Sequence, residues 1–282
     1  MRIGVTGASG FIGTHLLSAL KGRGTVVTLP RKKGLPGKQE LKLFVADTDL
    51  IFHLGAVNRG ADEEVLTGNT LSTSRLLESI AKYGKPSCRL VFASSAQVYS
   101  WLNYRGPIRE NRRTNPDTTY GIGKQSAENL IKNSGIPYVI LRMSNVYGPG
   151  CRPNYNSVIP TLCYRVIKGQ PLLVNGNGQQ CRDFIYIDDV IRAFMLAGFE
   201  SVQGSAKIFN VSSGKMISLK QIVKLISRFH KNTKVQFLMD KMSSEISYCC
   251  DPSKFSSKYG WRTRVSLAKG IKQNLSYFRG RK

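Results

Sequence analysis

Tyr120 and Lys124 stand four residues apart in Tyr120-Gly121-Ile122-Gly123-Lys124, within a stretch of helical spacing. Residues at i and i+4 share one face of a helix. A free tyrosine titrates near 10 and is a poor base at neutral pH. A neighbouring ammonium stabilises the phenolate and lowers that value. The pair therefore has the chemistry of a general base and acid working on a sugar hydroxyl or a ketone. Ser95 lies 25 residues upstream, just after the apolar run Arg89-Leu90-Val91-Phe92-Ala93. That run reads as a strand, and sites of open α/β sheets gather at the carboxyl ends of strands. The Ser95 hydroxyl is placed to bond the same substrate oxygen. Tyr-x-x-x-Lys alone arises often by chance; the strand-end serine ahead of it makes the signal specific.

A second constellation opens the chain. Arg2-Ile3-Gly4-Val5 reads as a short strand that runs into Thr6-Gly7-Ala8-Ser9-Gly10-Phe11-Ile12-Gly13 and then into helical spacing. Gly7 permits the tight turn, Gly10 lets a pyrophosphate approach the backbone, and Gly13 lets the helix pack close on the sheet. The free N–H groups of the helix start face the anion. The strand before and the helix after are the context this motif requires.

The elements that must position these residues follow along the chain. Thr25 to Leu29, Asp49 to Leu54, Arg89 to Ala93 and Tyr138 to Arg142 read as strands. Asn69 to Tyr83 and Tyr120 to Asn133 read as helices. Strands alternating with helices predict an α/β fold, a Rossmann-type doubly wound parallel sheet. Texture changes after Gly148-Pro149-Gly150. Residues 151–185 read as loops with one helix near 158–168, and Ile185 to Val190 with the helix after it read as a return to the sheet. Ser218-Leu219-Lys220-Gln221 is a capping-box helix start. The expected organisation is a dinucleotide-binding domain of 1–150 plus about 185–200, and a smaller substrate-binding lobe of about 151–184 plus 201–282.

Composition narrows the function classes. The formal net charge is +25, and residues 201–282 carry 17 basic against 3 acidic side chains. The basic residues are scattered and no aromatic-interleaved basic motif appears, so a nucleic-acid partner is disfavoured against a basic surface around a cleft for phosphorylated ligands. No apolar run approaches a membrane span. The first strand starts at residue 2, which leaves no room for a signal peptide. The six cysteines, Cys88, Cys151, Cys163, Cys181, Cys249 and Cys250, show no C-x-x-C spacing. No metal site is expected, and the chain reads as cytoplasmic.

These residues together resemble the extended short-chain dehydrogenase/reductase family, in its nucleotide-sugar epimerase/dehydratase branch. The resemblance spans nearly the whole chain. It rests on Thr6 to Gly13, His53-Leu54-Gly55-Ala56, Ser94-Ser95-Ala96-Gln97-Val98-Tyr99 and Tyr120…Lys124. Asn145-Val146-Tyr147-Gly148-Pro149, Gln180-Cys181-Arg182-Asp183-Phe184, Asp251-Pro252-Ser253-Lys254 and Gly260-Trp261 extend it. It implies a catalytic triad of Ser95, Tyr120 and Lys124, with Lys124 also on the nicotinamide ribose. It implies cofactor contacts from Gly7, Ser9, Gly10, Phe11, Ile12, Gly13, Arg31, Lys32, Leu54, Gly55, Ala56, Asn69, Tyr120 and Lys124. Gln97, Asn145, Arg182 and Lys241 are the implied substrate contacts, Asn145 and Arg182 at the diphosphate of a nucleotide-sugar. A guanidinium fork matches phosphate oxygens. A homodimer through the helices of 70–83 and 120–133 is also implied, with Leu130 and Ile131 as contact candidates.

Departures from the family pattern narrow the reaction. Dehydratases of the family carry Thr-Asp-Glu where this chain has Ser95-Ala96-Gln97. Neither Ala96 nor Gln97 exchanges a proton, which disfavours dehydration and decarboxylation and leaves epimerisation or ketone reduction. An acidic residue about 20 positions after the glycines binds the ribose 2′-OH of NAD; Pro30-Arg31-Lys32-Lys33 stands there instead. Basic groups at that point suit the 2′-phosphate of NADP, while an epimerase implies tightly bound NAD. The interval from Leu29 to Asp49 is too short for the family's usual third strand. Where many epimerases have Arg-Pro-Gly-Asp, this chain has Lys241-Met242-Ser243-Ser244; Lys241 keeps the charge and loses the bidentate fork. Three readings stay open: a UDP-hexose 4-epimerase, an NADPH-dependent reductase of nucleotide-4-keto-6-deoxysugars, and, from the charge, a non-catalytic RNA-binding relative.

Overall fold

A computed structural model describes residues 1–30, 34–100, 106–155, 157–200, 207–239 and 247–281 of the chain. β1 (Arg2–Thr6) feeds the glycine turn and α1 (Phe11–Ala19), followed by β2 (Thr25–Thr28), α2 (Lys38–Val45) and β3 (Leu50–His53). α3 (Asp62–Leu66), a π-type turn (Thr67–Leu71) and α4 (Ser72–Tyr83) lead to β4 (Arg89–Ser95) and a 3₁₀ turn (Ala96–Val98). α5 (Thr119–Asn133), β5 (Tyr138–Met143), β6 (Asn145–Tyr147) and α6 (Val158–Ile167) follow. Next come β7 (Leu172–Asn175), β8 (Cys181–Arg182), β9 (Phe184–Tyr186) and α7 (Ile187–Phe199). The chain then runs through β10 (Ile208–Val211), β11 (Ile217–Ser218), α8 (Leu219–Phe229), β12 (Val235–Leu238), α9 (Ser253–Tyr259) and α10 (Leu267–Arg279).

Two compact units contain these elements: the described parts of 1–100, 110–143 and 191–210, and those of 101–109, 144–190 and 211–282. The first unit holds a six-stranded sheet in the order β10-β5-β4-β3-β1-β2. Pairings from β2 through β1, β3 and β4 to β5 are parallel. After β2 the chain crosses to the other side of β1. The crevice at the carboxyl ends of β1 and β3 is thus the topological switch point, where ligands of such sheets bind. Register puts Thr6 beside His53, His53 beside Phe92, and Ser95 beside Met143. Turns that follow these residues therefore open on one edge of the sheet.

Apolar residues recurring at helical spacing make the core. Phe44 of α2, Leu76 and Ile80 of α4, and Ile131 of α5 pack with Leu90 and Phe92 of β4. Ile131 is fully buried there, which gives it a core role rather than the inter-subunit one considered from sequence. The interval between β2 and β3 holds α2, so β2 closes the sheet as its edge strand, as the short spacing implies.

The second unit is built from short pairings. β9 lies parallel to β6, with Asn145 beside Phe184 and Tyr147 beside Tyr186. This corrects the expectation that Ile185 onward rejoins the main sheet. The strand that extends that sheet is β10, beyond α7, and β9 is a three-residue strand pairing with a segment that leaves the line of β5 at Ser144. The Ser144 N–H bonds the Val211 carbonyl at 3.1 Å. Residues 151–184, expected as loops around one helix, also carry β7, which pairs in parallel with β12, and β8, which pairs antiparallel with β11. α8 begins at the expected capping box, with Gln221 N–H donating to Ser218 Oγ at 3.2 Å and Ser218 N–H to Gln221 Oε1 at 2.8 Å.

Candidate active site

Gly7 has φ +67°, a conformation side chains rarely adopt, and a Cβ there would meet Gly55 N at 2.7 Å. The turns after β1 and β3 are thus pressed together, with Gly55 N–H donating to Thr6 Oγ1 at 3.0 Å. A Cβ on Gly13 would collide with the carbonyl oxygen of Gly7. Gly10 is the N-cap of α1, with no side-chain cap and no acidic residue in the first turn. Its opening amides are left to an anion. Ser9 is exposed; Phe11 and Ile12 are half-buried at the start of α1. Leu54 and Gly55 are half-buried and Ala56 is exposed after β3. Arg31 and Lys32 lie outside the described residues.

Asn69 sits in the π-type turn and is 1% exposed. Its Nδ2 donates to the carbonyls of Val57 (2.6 Å) and Val65 (2.7 Å). Its Oδ1 is buried without a partner among the described residues. A buried acceptor of this kind normally finds a donor. Together with the glycine cradle and the uncapped helix start, it fits a dinucleotide that carries both phosphates and donor groups.

His53 is held between two hydroxyls, Nδ1 2.7 Å from Thr6 Oγ1 and Nε2 2.9 Å from Thr73 Oγ1. The Thr73 hydroxyl proton goes to the Asn69 carbonyl at 2.6 Å. Thr73 must then accept from Nε2–H, and Thr6 donates to Nδ1. Burial first, and the Lys124 charge second, hold the imidazole neutral with a pKa of about 3. His53 joins β1, β3 and α4; it offers no proton at neutral pH.

Ser95 ends β4 and is half-buried, its Oγ accepting from Gln97 N–H at 3.1 Å. Gln97 Oε1 accepts from Thr118 Oγ1 at 3.2 Å. Thr118 also caps α5, its Oγ1 accepting from Gly121 N–H at 3.1 Å. The 3₁₀ turn after Ser95 and the helix start that carries Tyr120 are thereby tied by one threonine. Tyr120 is half-buried, and burial raises its phenol above the ordinary value.

Lys124 is 2% exposed. Its Nζ donates to the Ala93 carbonyl at 2.8 Å, lies 4.6 Å from the Phe92 ring centre and 5.8 Å from that of Tyr120. Burial brings its pKa down to about 7, against an opposing pull from Glu128. The spacing expectation that the ammonium lowers the tyrosine is not realised in this geometry: the Nζ is engaged by β4, and burial dominates at the phenol.

Substrate candidates Asn145 and Arg182 meet in the second unit. Asn145 Nδ2 donates to the Asp183 carbonyl and to Tyr248 Oη, both at 2.9 Å. The Arg182 guanidinium lies 5.6 Å from the Tyr248 ring centre and donates to the Cys181 carbonyl at 2.9 Å. Burial lowers its pKa. Lys241 lies outside the described residues.

Sequence reasoning missed four participants. Tyr248 joins Asn145 and Arg182 and had no local signal. Asp183, fully buried, accepts from Ser144 Oγ, the N–H and Oγ of Ser213, Gly214 N–H and Cys250 N–H at 2.7–3.3 Å. Burial raises its pKa against those donors. Glu128 and Arg142 form a buried ion pair at 2.6 Å. Arg142 was findable, because a lone charge inside a buried strand needs a partner. Among the described residues no cluster of metal-ligating side chains occurs, and no helix is long and apolar enough to cross a membrane.

Residues 3–212 match the profile of the NAD dependent epimerase/dehydratase family. The chain is 30% identical to a putative UDP-glucose 4-epimerase of Methanocaldococcus jannaschii, over 98% of this chain and 97% of that protein. It is 31% identical to a UDP-2-acetamido-2,6-beta-L-arabino-hexul-4-ose reductase of Pseudomonas aeruginosa, over 83% of this chain and 59% of that one. The fold superposes with a TM-score of 0.87 on the UDP-glucuronic acid 4-epimerase of Bacillus cereus solved with UDP-glucuronic acid and NAD. That pair shares 29% identity over the full length of both chains.

Proposed function

The chain belongs to the NAD dependent epimerase/dehydratase family, and on that premise we propose that it is a nucleotide-sugar 4-epimerase of the UDP-hexose type. The observation that carries the reading is the tyrosine–lysine pair of α5, set beside a β4 that ends at Ser95 and runs on into Ala96-Gln97. That end offers a hydroxyl and no acid, so it serves oxidation at a carbinol and not elimination of water.

In this reading Tyr120 takes the C4 hydroxyl proton of the sugar and later returns it, and Ser95 bonds the same oxygen. NAD, which the glycine turn of Gly7, Gly10 and Gly13 and the side chain of Lys124 would hold, would supply the hydride acceptor and donor for the C4 carbon. Lys124 would hold the nicotinamide ribose. Gly7, Gly10 and Gly13 admit the pyrophosphate, and Asn69 Oδ1 accepts a donor of the cofactor. Asn145, Arg182 and Lys241 hold the substrate diphosphate, and Gln97 lines the sugar. Leu71 and Ile122, 50% and 45% exposed at the start of α4 and on α5, support a homodimer through these helices. Six cysteines without a disulfide suit a cytoplasmic setting.

The second reading, an NADPH-dependent 4-keto-sugar reductase, draws on the similarity to the Pseudomonas aeruginosa reductase and on Arg31 and Lys32, whose charge suits a 2′-phosphate. One experiment separates the two. Denaturing the purified protein should release near-stoichiometric NAD. The native protein should interconvert UDP-glucose and UDP-galactose, and Tyr120→Phe should lose at least about 10²-fold of that turnover. Protein that comes empty, leaves UDP-glucose unchanged and oxidises NADPH with a 4-keto sugar overturns the epimerase in favour of the reductase.

A further inference from the structure

Glu128 is fully buried one helical turn beyond Lys124 on α5. Its Oε1 accepts from Ser94 Oγ at 2.5 Å and from Arg142 Nε at 2.9 Å, and its Oε2 from Arg142 Nη2 at 2.6 Å. Arg142 Nη1 goes on to Tyr99 Oη at 2.9 Å, and Tyr99 Oη donates to Asn210 Oδ1 at 2.8 Å. Asn210 N–H is held by Glu110 Oε1 at 2.7 Å. One connected set of bonds therefore ties α5, β4, the end of the 3₁₀ turn, β5 and β10. Three of its members fall near residues of the proposed chemistry: Glu128 one turn after Lys124, Ser94 beside Ser95, and Tyr99 two residues after Gln97.

Stability alone does not explain the set. Desolvating both ions offsets most of their attraction, and a well-packed apolar pair of similar volume usually serves as well or better. The ion pair does what an apolar pair cannot, which is to place a fixed negative charge one turn from a buried ammonium. We propose that Glu128 is a positioning residue that keeps the Lys124 side chain charged inside the fold, and that its bond to Ser94 fixes the strand end bearing Ser95. The catalytic meaning of this role rests on the epimerase reading; the charge effect on Lys124 does not.

The groups around Lys124 are few enough to assign. β4 gives the Ala93 carbonyl and the Phe92 ring, both favourable to a cation. β3 gives His53, held neutral by burial. α5 itself gives Tyr120, protonated, and Glu128. Glu128 is thus the carboxylate acting on this ammonium among the described residues; Arg142 of β5, bonded to that carboxylate at 2.6 Å, is the cation that offsets it, and removing Glu128 alone should lower the lysine. An opposite charge within about 4–6 Å moves a titration by about 1–3 units.

The test titrates Lys124 directly, by NMR of 13Cε-lysine protein with the Lys124→Met variant assigning the resonance. Glu128→Gln should lower the Lys124 midpoint by at least about one unit, a tenfold change in its proton affinity. Since that variant strands Arg142, the double variant Glu128→Met, Arg142→Leu supplies a folded core without either charge; its midpoint should lie below that of Arg142→Leu alone, which keeps the carboxylate. In UDP-glucose turnover by the NAD-loaded protein, the alkaline limb of kcat should move down by the same amount while KM stays within about twofold. A midpoint that stays within about 0.3 units in whichever of these two comparisons folds, Glu128→Gln against wild type or the double variant against Arg142→Leu, overturns the proposal. Wild-type protein without UDP-glucose turnover would instead sink the epimerase reading and leave the titration to decide the charge effect.

Discussion

Replacing Lys124 by methionine should make the protein more stable while removing its activity. The ammonium is buried with a pKa near 7, against 10.5 for an ordinary lysine. At about 1.4 kcal/mol per unit, holding it in the fold at pH 7 costs about 4 kcal/mol relative to a side chain that does not titrate. Methionine has a similar shape and no such penalty, but it leaves the Ala93 carbonyl without its donor, a loss of about 1–3 kcal/mol. Net, Lys124→Met should gain about 1–3 kcal/mol at pH 7 in urea unfolding. The sign of the pH dependence is the sharper check. A folded-state pKa below the unfolded one means that the unfolded chain binds more protons between pH 7 and 10.5, so wild-type stability rises with pH through that window. The advantage of the variant should shrink by about 2 kcal/mol between pH 7 and pH 9. A gap that stays constant, or widens, would show that burial does not depress this lysine.

Two further variants probe the other parts of the site. His53→Gln should flatten the acid limb of stability. With a folded value near 3 against 6.5 unfolded, the wild type loses stability as pH falls through that window, about 3 kcal/mol by pH 4. Unfolding curves at pH 6.5 and 4 that slope equally in both proteins would refute the neutral, buried imidazole. Arg182→Ala should raise KM for UDP-glucose by about 10–100-fold, the worth of one or two charge-assisted bonds, with a smaller change in kcat. An unchanged KM would remove Arg182 from the diphosphate.

The sheet was legible because its order follows from local patterns. Each buried strand is an apolar run of four or more residues ending in a turn, and each helix between them shows apolar spacing near 3.6. The glycine turn was legible for a steric reason, since Gly7 and Gly13 stand where backbone fills the place of a Cβ. In the second unit the helices α6 and α8 were legible and the strand pairings were not. Its strands β6 to β9 and β11 have two to four residues, too few to show a period. β7 finds β12 some 60 residues away, a pairing that no local preference encodes.

The site divides along the same line. Residue types and spacing gave Tyr120, Lys124 and Ser95, yet the state of Lys124 follows from where its ammonium lands. The i+4 rule placed it near the phenol, whereas the fold turns it toward the Ala93 carbonyl and the Phe92 ring. Burial then acts on both partners in opposite senses, raising the tyrosine and lowering the lysine. With both groups held toward their neutral forms, moving a proton from the phenol to the amine costs more than in water, and charges around the lysine act with little solvent screening. Each fixed charge nearby therefore biases that transfer strongly, and Glu128, fully buried and bonded to Ser94 and Arg142, is the fixed negative charge of α5 placed one turn away. The same burial that weakens the fold at Lys124 is what makes the pair responsive to its neighbours. Stability surrendered at this lysine and control of its proton are one property of the site.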